Sequence, residues 1–221
     1  MRFVRGVLLT LAIVLASTAG AWAQRMGMGQ APHILGLFKP VVGSGAEYQI
    51  STKKNETVDW VYAIVGKENV GGDEGYWMEM RMKGGKGEGM IMKQLMVMHE
   101  GSPEIKRMIM QAPGQPPMEM PMGMMGGMMK RAQESAAEQT GGMGEKVGTE
   151  TVTVPAGTFE CEHYRTKSGN TTGDVWISAK VFPYGMVKMV SGDTTMVLEK
   201  VLENETSQIK GEPRKMEMPH F

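Results

Sequence analysis

The stretch Glu74-Gly-Tyr-Trp-Met-Glu-Met-Arg-Met-Lys83 alternates between two kinds of side chain. Tyr76, Met78, Met80 and Met82 occupy one set of alternate positions, and Trp77, Glu79 and Arg81 occupy the other. A period of two is the repeat of a β-strand, so the two sets project from opposite faces of a sheet. The glycine-rich segment 84–89 then predicts a turn into a second strand over residues 90–100.

Methionine continues at every second residue beyond this strand. The 221-residue chain contains 25 methionines. Those expected on one sheet face are Met78, Met80, Met82, Met90, Met92, Met96, Met98, Met108 and Met110. A sheet face of long, flexible thioethers is either an adaptable apolar surface or a site for a soft metal ion.

Strand patterns separated by turn signals recur along the rest of the chain. The expected strands are 46–52, 57–65, 74–83, 90–100, 104–111, 149–154, 158–167, 174–178, 186–190 and 194–202. Because they follow one another closely, the sequence predicts a mainly-β protein built on a single, strongly curved antiparallel sheet rather than two domains.

The two ends of the chain differ from the strand-forming part. Arg2 and Arg5 precede a short apolar core, and Ala21-Trp-Ala23 supplies the small residues that a signal peptidase reads. The expected segments are a signal peptide over 1–23, an N-terminal segment over 24–44 that contains a short helix at 33–38, the sheet domain over 45–204 with a methionine-rich insertion over 112–144, and a polar tail over 205–221. We expect a helix over 128–139 within the insertion, and a frayed tail from Lys210 onward.

Composition narrows the classes of function. Without the leader the chain carries 22 basic and 24 acidic residues, so no nucleic-acid partner is expected. A single cysteine permits no internal disulfide. No second apolar run is long enough to span a membrane. There is no cysteine at the cleavage point to carry a lipid anchor, so no such anchor is expected. We therefore expect a periplasmic or secreted protein that is cleaved near Ala23. Its expected partner is an apolar small molecule or lipid. We also expect a transient membrane or protein partner.

The second half of the chain resembles a group of bacterial exported domains. The resemblance lies in Val152-Thr-Val-Pro-Ala-Gly-Thr-Phe-Glu-Cys161, Tyr164, Val175-Trp-Ile-Ser178 and Pro183-Tyr-Gly-Met-Val-Lys188. Those domains are similar to the periplasmic lipoprotein carrier LolA and its mycobacterial lipoprotein relatives. The resemblance implies a half-barrel whose apolar concave face is covered by a helix or loop lid. It transfers no functional residues, and the number of methionines departs from LolA.

The nine alternating methionines have three interpretations. They line a groove that holds a lipid or lipidated peptide, or they pack as ordinary core in a structural or partner-binding domain, or they bind metal. Unbranched thioethers adapt to different acyl chains at little cost, which favours the groove as a function.

The run from Met118 to Met129 holds seven methionines in twelve positions. Its prolines and glycines predict an irregular backbone, on which thioethers can converge on one Cu(I) ion. The candidate donors are Met118, Met120, Met122, Met124 and Met125. We favour an apolar lid for this run, so no metal or other cofactor is expected, with copper(I) in periplasmic copper tolerance as the alternative.

Cys161 and His163 lie two residues apart on a predicted strand, where they could bind a metal or form a nucleophile with its base. A buried, inert cysteine is the more common case. The sequence contains no nucleophile elbow, zinc-protease motif, phosphate loop or dinucleotide fingerprint. We therefore expect a binding protein and not an enzyme.

Overall fold

The computed structural model describes residues 38–52, 56–84, 88–99, 102–123, 144–168 and 171–215. The chain divides into two units, residues 1–32 and 33–221, and everything described lies in the second. Its strands are β1 (Gly45–Thr52), β2 (Thr57–Val70), β3 (Asp73–Lys83), β4 (Ile91–His99), β5 (Ser102–Gln111), β6 (Met118–Met120), β7 (Glu145–Val154), β8 (Gly157–Ser168), β9 (Thr171–Ile177), β10 (Met186–Ser191), β11 (Thr194–Leu202) and β12 (Arg214–Lys215).

All twelve described strands belong to one sheet. Their order is β12-β6-β5-β4-β3-β2-β1-β11-β10-β9-β8-β7. Two meanders, β2 to β6 and β7 to β11, therefore meet at β1, which pairs with β2 on one side and β11 on the other. Neighbouring strands are antiparallel except β12 and β6, which are parallel. The predicted mainly-β class and single curved antiparallel sheet are confirmed.

Tight turns and bulges give the sheet its curvature. Gly71 and Gly72 connect β2 to β3 with φ values of 64° and 104°, a region that glycine adopts without strain. Five strand pairs contain a register shift, and each β-bulge bends its strand and increases the local twist. As a result the turn between β7 and β8 reaches β11, where the Ala156 amide donates to the Leu198 carbonyl at 3.3 Å. This curling agrees with the expected half-barrel.

The largest core lies under β1 and the second meander. Tyr48, Val187 and Leu198 are fully buried there, and Tyr48 donates a hydrogen bond from its hydroxyl to the Met186 carbonyl at 3.0 Å. A second core surrounds Phe38, Ile64, Met78 and Met96, and a third contains Trp77, Leu95 and Ile109.

The expectation of a frayed tail is wrong for the residues up to 215. Lys210 donates its backbone amide to Gln111 Oε1 at 3.0 Å, and its carbonyl accepts from Gln111 Nε2. Arg214 and Lys215 then form β12. We name residues 205–210 the C-terminal strap, because Glu205, Ser207, Gln208 and Ile209 all contact side chains of the first meander. Residues 216–221 lie outside the described part.

The methionine-rich insertion also differs from the expectation of an irregular backbone. Met118–Met120 forms β6 against β5, and Glu119 accepts two hydrogen bonds from the Arg107 guanidinium, at 2.8 and 3.1 Å. The sequence did not predict this strand because prolines flank it and it is only three residues long. The expected lid helix over 128–139 lies outside the described residues, as does the expected helix at 33–38 except for Phe38.

Candidate functional site

Strand register places the alternating methionines on one side of the first meander. Residues directly opposite one another in neighbouring strands share a face. Met80 lies opposite Met92, Met92 opposite Met110, and Met110 opposite Met118. In the next row Met78 and Met108 flank Gln94, and Met120 lies opposite Met108. The predicted common face is therefore present in the register of four strands.

We call this surface the methionine face. It comprises Met78, Met80, Met82, Met90, Met92, Met96, Met98, Met108 and Met110, all nine predicted residues, together with Met118 and Met120. Met90 precedes β4, and its carbonyl accepts a hydrogen bond from the Met82 amide at 3.1 Å. Two donors predicted for copper(I) thus belong to the same face as the predicted groove.

Burial divides the methionine face into two parts. Met78, Met96 and Met108 are only 3–5% exposed and belong to the core. Met80, Met92 and Met110 are half-buried, and Met118 is 37% exposed. The face is therefore neither fully packed nor fully open. The interpretation as core applies to its buried part, while its half-buried thioethers present apolar surface.

Charge is distributed unequally between the two sides of the sheet. The two central rows of the methionine face, from β2 to β6, contain no Asp, Glu, His, Lys or Arg. One row consists of Tyr62, Met80, Met92, Met110 and Met118, and the other of Ile64, Met78, Gln94, Met108 and Met120. One row of the opposite side contains Glu79, Lys93 and Glu119. Charges border the face at its margins, where Lys67 pairs with Glu74 and Arg214 lies beside Met118.

Aromatic residues border the methionine face on the side of β1. Tyr62 contacts Trp60, Tyr48 and Tyr184, with ring centroids 5.7 to 6.1 Å apart, and Phe38 packs on Tyr184 at 5.4 Å. Tyr184 comes from the turn between β9 and β10, and its hydroxyl donates to Met78 Sδ at 3.0 Å. Sequence reasoning missed this aromatic border, although Trp60 and Tyr62 alternate within a predicted strand.

Burial changes the chemistry of these tyrosines. It raises the pKa of Tyr48, Tyr62 and Tyr184, because a phenolate would be poorly solvated in this apolar environment. The three phenols therefore stay neutral at physiological pH. They add polar hydroxyl groups to the border of the methionine face but no charge.

The methionine run reaches the described part of the chain only at its beginning. Met118 and Met120 extend from β6 onto the methionine face, and Met122 follows as a half-buried residue. Met124 and Met125 lie outside the described residues. The structure thus connects the start of the run to the alternating methionines. From the sequence alone the two were separate features.

Cys161 and His163 occupy different environments on β8. Cys161 is buried, and burial, followed by the charge of Glu150, raises the pKa of its thiol to about 11. His163 stacks on Trp176, with its ring nitrogens 2.9 Å from Glu150 Oε1 and 2.7 Å from Asp174 Oδ1. Within the described ranges, no group of three or more His, Cys, Asp or Glu residues could hold a metal ion. A buried, unreactive cysteine is the interpretation that fits.

Comparison with known proteins identifies a family but no activity. Residues 68–217 match the model of a domain of unknown function (DUF4412). No curated protein matches the chain. Within the described residues, no helix has the length and apolar character needed to cross a membrane.

Two crystal structures are similar to the chain. One, from Parabacteroides distasonis, is described as a lipoprotein candidate; it has 13% identity and a TM-score of 0.38, with 75% of this chain and 97% of that chain covered. The other, from Bacteroides fragilis, is described as a candidate exported protein with a YmcC-like fold; it has 12% identity and a TM-score of 0.38, with 76% and 99% covered. Likenesses at this level support no argument about function, and the resemblance to LolA stays a prediction.

Proposed function

Because the chain belongs to the family of the domain of unknown function DUF4412, which assigns no activity, we propose from its geometry that it is an exported binding protein for an apolar ligand. The ligand is a lipid or the acyl part of a lipidated peptide, held on the methionine face without covalent chemistry. As the leader predicts, binding takes place in the periplasm or outside the cell, and a membrane or a protein supplies or receives the ligand transiently.

The observation that carries this proposal is the absence of Asp, Glu, His, Lys and Arg from the central rows of the methionine face. Neither central row of the methionine face contains such a side chain between β2 and β6, whereas the opposite side of the same strands does. A charged ligand would lose its hydration there without gaining a partner. An acyl chain would instead gain about 0.8 kcal/mol for each methylene that the face removes from water.

Methionine is suited to such a ligand. Its unbranched side chain changes rotamer readily, so Met80, Met92 and Met110 can repack around chains of different length or branching. The tyrosine hydroxyls and Gln94 supply a few neutral hydrogen-bonding groups near the apolar rows. This combination favours an uncharged or distantly charged ligand over a small polar metabolite.

The test measures the affinity of the protein for a dansyl-labelled long-chain monoacylglycerol by fluorescence. Replacing Met80, Met92 and Met98 together by glutamine keeps their length but makes the face polar. We expect the affinity to fall by about tenfold or more, since each 1.4 kcal/mol is a factor of ten. The same three residues replaced by leucine should bind the probe nearly as tightly as the native protein, because leucine keeps the apolar surface.

A matched control replaces the exposed Val147 and Val201, on β7 and β11, by glutamine. This change should leave probe binding unaltered. Equal affinity in the native protein and the Met80, Met92 and Met98 glutamine variant would overturn the proposal. Such a result would favour a structural or partner-binding domain in which the methionines only pack.

A further inference from the structure

Four methionines form one continuous row across the first meander. Met80 of β3, Met92 of β4, Met110 of β5 and Met118 of β6 are successive register partners. Directly opposite side chains have Cβ atoms about 4.5 to 5.5 Å apart. Thioethers on three adjacent strands can therefore converge on one point above the middle strand, since each side chain is flexible beyond Cβ.

Packing alone does not explain methionine at every position of this row. β-branched and aromatic residues are the usual choice for a sheet face, and leucine would supply comparable apolar surface. Besides its flexibility, methionine adds a sulfur donor. Met80, Met92 and Met110 lie on paired strands. They are half-buried, so their side chains stay reachable from solvent.

The surroundings of the row restrict which ion it could hold. No carboxylate or imidazole lies in it between β2 and β6, so it lacks the oxygen and nitrogen donors that magnesium, calcium and zinc require. Thioethers bind soft cations such as Cu(I). Gln94 donates from Nε2 to Met92 Sδ at 3.1 Å, which holds that sulfur on the face.

Charge at the ends of the row selects three of the four sulfurs. Arg214 of β12 is the register partner of Met118, and its guanidinium disfavours a cation at that end. Tyr62, at the opposite end, is neutral because burial raises its pKa. We propose that Met80, Met92 and Met110 form a binding site for one soft monovalent cation, Cu(I) or its congener Ag(I).

This site differs from a site in the run from Met118 to Met129, and it does not depend on the binding of an apolar ligand. Its donors come from three paired strands, and each thioether donates a sulfur lone pair to the ion, with no protein bond broken and no change of oxidation state. A single ion above the row would contact thioethers only. The two proposals for the methionine face can therefore fail separately.

The experiment titrates the purified mature protein with Ag(I), a probe without redox chemistry in this setting, and measures stoichiometry and affinity by competition with a chelator. The test variant replaces Met80, Met92 and Met110 by leucine. The matched control replaces Met82, Met90 and Met98, three other half-buried methionines of the same face, by leucine. Circular dichroism and the midpoint of urea unfolding verify that both variants fold.

We expect one tight Ag(I) site in the native protein and in the control, and none in the test variant. A third variant, with leucine at Met122, Met124, Met125, Met128 and Met129, should keep that site. Absence of tight binding to the native protein, or equal loss in the test variant and the control, would overturn the proposal. Loss of the Ag(I) site in the third variant alone would also overturn the proposal, because it would place the site in the run from Met118 to Met129.

A separate readout distinguishes the two proposals. The leucine test variant should still bind the monoacylglycerol probe, because its face stays apolar. Silver binding that disappears while probe binding persists identifies the thioethers as donors. Extended X-ray absorption fine structure spectroscopy of the Cu(I)-loaded native protein should show only sulfur scatterers in the first coordination sphere. Oxygen or nitrogen scatterers there would contradict the three-thioether site.

Discussion

Ser207 donates a hydrogen bond from its hydroxyl to the carboxylate of Glu79 at 2.8 Å, across 128 residues of sequence. Glu79 is fully buried on the side of the sheet opposite the methionine face, and the Gln208 amide donates to both of its carboxylate oxygens. A polar side chain needs such partners once it is removed from water. The C-terminal strap thus supplies the donors that allow a carboxylate to lie inside this fold.

The first prediction concerns this contact. Ser207→Ala should lower the free energy of unfolding by about 2 kcal/mol, since the buried carboxyl group of Glu79 loses a hydrogen-bond donor. Urea denaturation monitored by tryptophan fluorescence measures the change. The neighbouring, exposed Thr206 provides the control, because Thr206→Ala should cost less than about 0.5 kcal/mol. Equal effects of the two substitutions would show that the strap contributes little through Glu79.

The second prediction concerns alkaline pH. Burial raises the pKa of Tyr48 above its ordinary value of 10.0, and the nearby Tyr184 adds to the shift. Above pH 10.0 the unfolded chain loses this proton while the folded protein keeps it, so stability falls as pH rises. Each pH unit above this value should cost about 1.4 kcal/mol for this group.

Tyr48→Phe separates this contribution from that of other titrating groups. Near neutral pH the variant should be less stable by about 1 kcal/mol, because the hydrogen bond to the Met186 carbonyl is lost. Above pH 10.0 the difference should shrink and then reverse. Urea unfolding of both proteins over a series of pH values checks this, and a difference that stays constant with pH would contradict the proposed burial effect.

The third prediction concerns the reactivity of Cys161. Its thiol pKa is raised from 9.0 to about 11, so at pH 8 the folded protein should contain about 100-fold less thiolate than the unfolded chain. Reaction with an aromatic disulfide reagent should accordingly be slow in the native protein and fast in denaturing urea. Rapid labelling of the native protein would indicate an accessible, activated cysteine and would reopen the nucleophile hypothesis.

The fourth prediction compares two strand glycines. A Cβ atom at Gly45 of β1 would lie 2.7 Å from the Tyr62 carbonyl oxygen and 3.1 Å from Ala63 Cβ, whereas one at Gly148 of β7 would meet nothing within 4 Å. Gly45→Ala should therefore destabilise the protein by about 2 kcal/mol or more. Gly148→Ala should be neutral or slightly stabilising. Thermal unfolding of the two variants measures the contrast, and similar midpoints would argue against the close contact at β1.

Local pattern was sufficient to predict most strands and the hairpin of β3 with β4, but not the partner of every strand. The alternation in Glu74–Lys83 predicted β3 and its two faces, because neighbouring side chains of a strand must point to opposite sides. The pairing of β1 with β11 left no signal in the sequence, since β1 is followed directly by β2 and meets β11 only through the curvature of the sheet.

The errors share a cause. β6 lies among prolines that predict an irregular loop, yet pairing with β5 and the Arg107–Glu119 ion pair hold it in the sheet. The C-terminal strap has no periodic pattern. Its order comes from contacts with Glu79, with Gln111 and with the core that contains Trp77, all distant in sequence. The composition of these segments alone therefore suggested less order than their contacts provide.

The sequence by itself determined the class of the fold and nine of the eleven residues of the methionine face, because a period of two assigns side chains to faces wherever the strand occurs. Only the tertiary structure decided which methionines are core and which are reachable, and which of them lie in one row. Met78 and Met80 are equivalent in pattern, but Met78 is 4% exposed beneath Tyr184 while Met80 is half-buried in the row with Met92 and Met110. Burial and register depend on which distant segments pack together, and local periodicity contains no information about that.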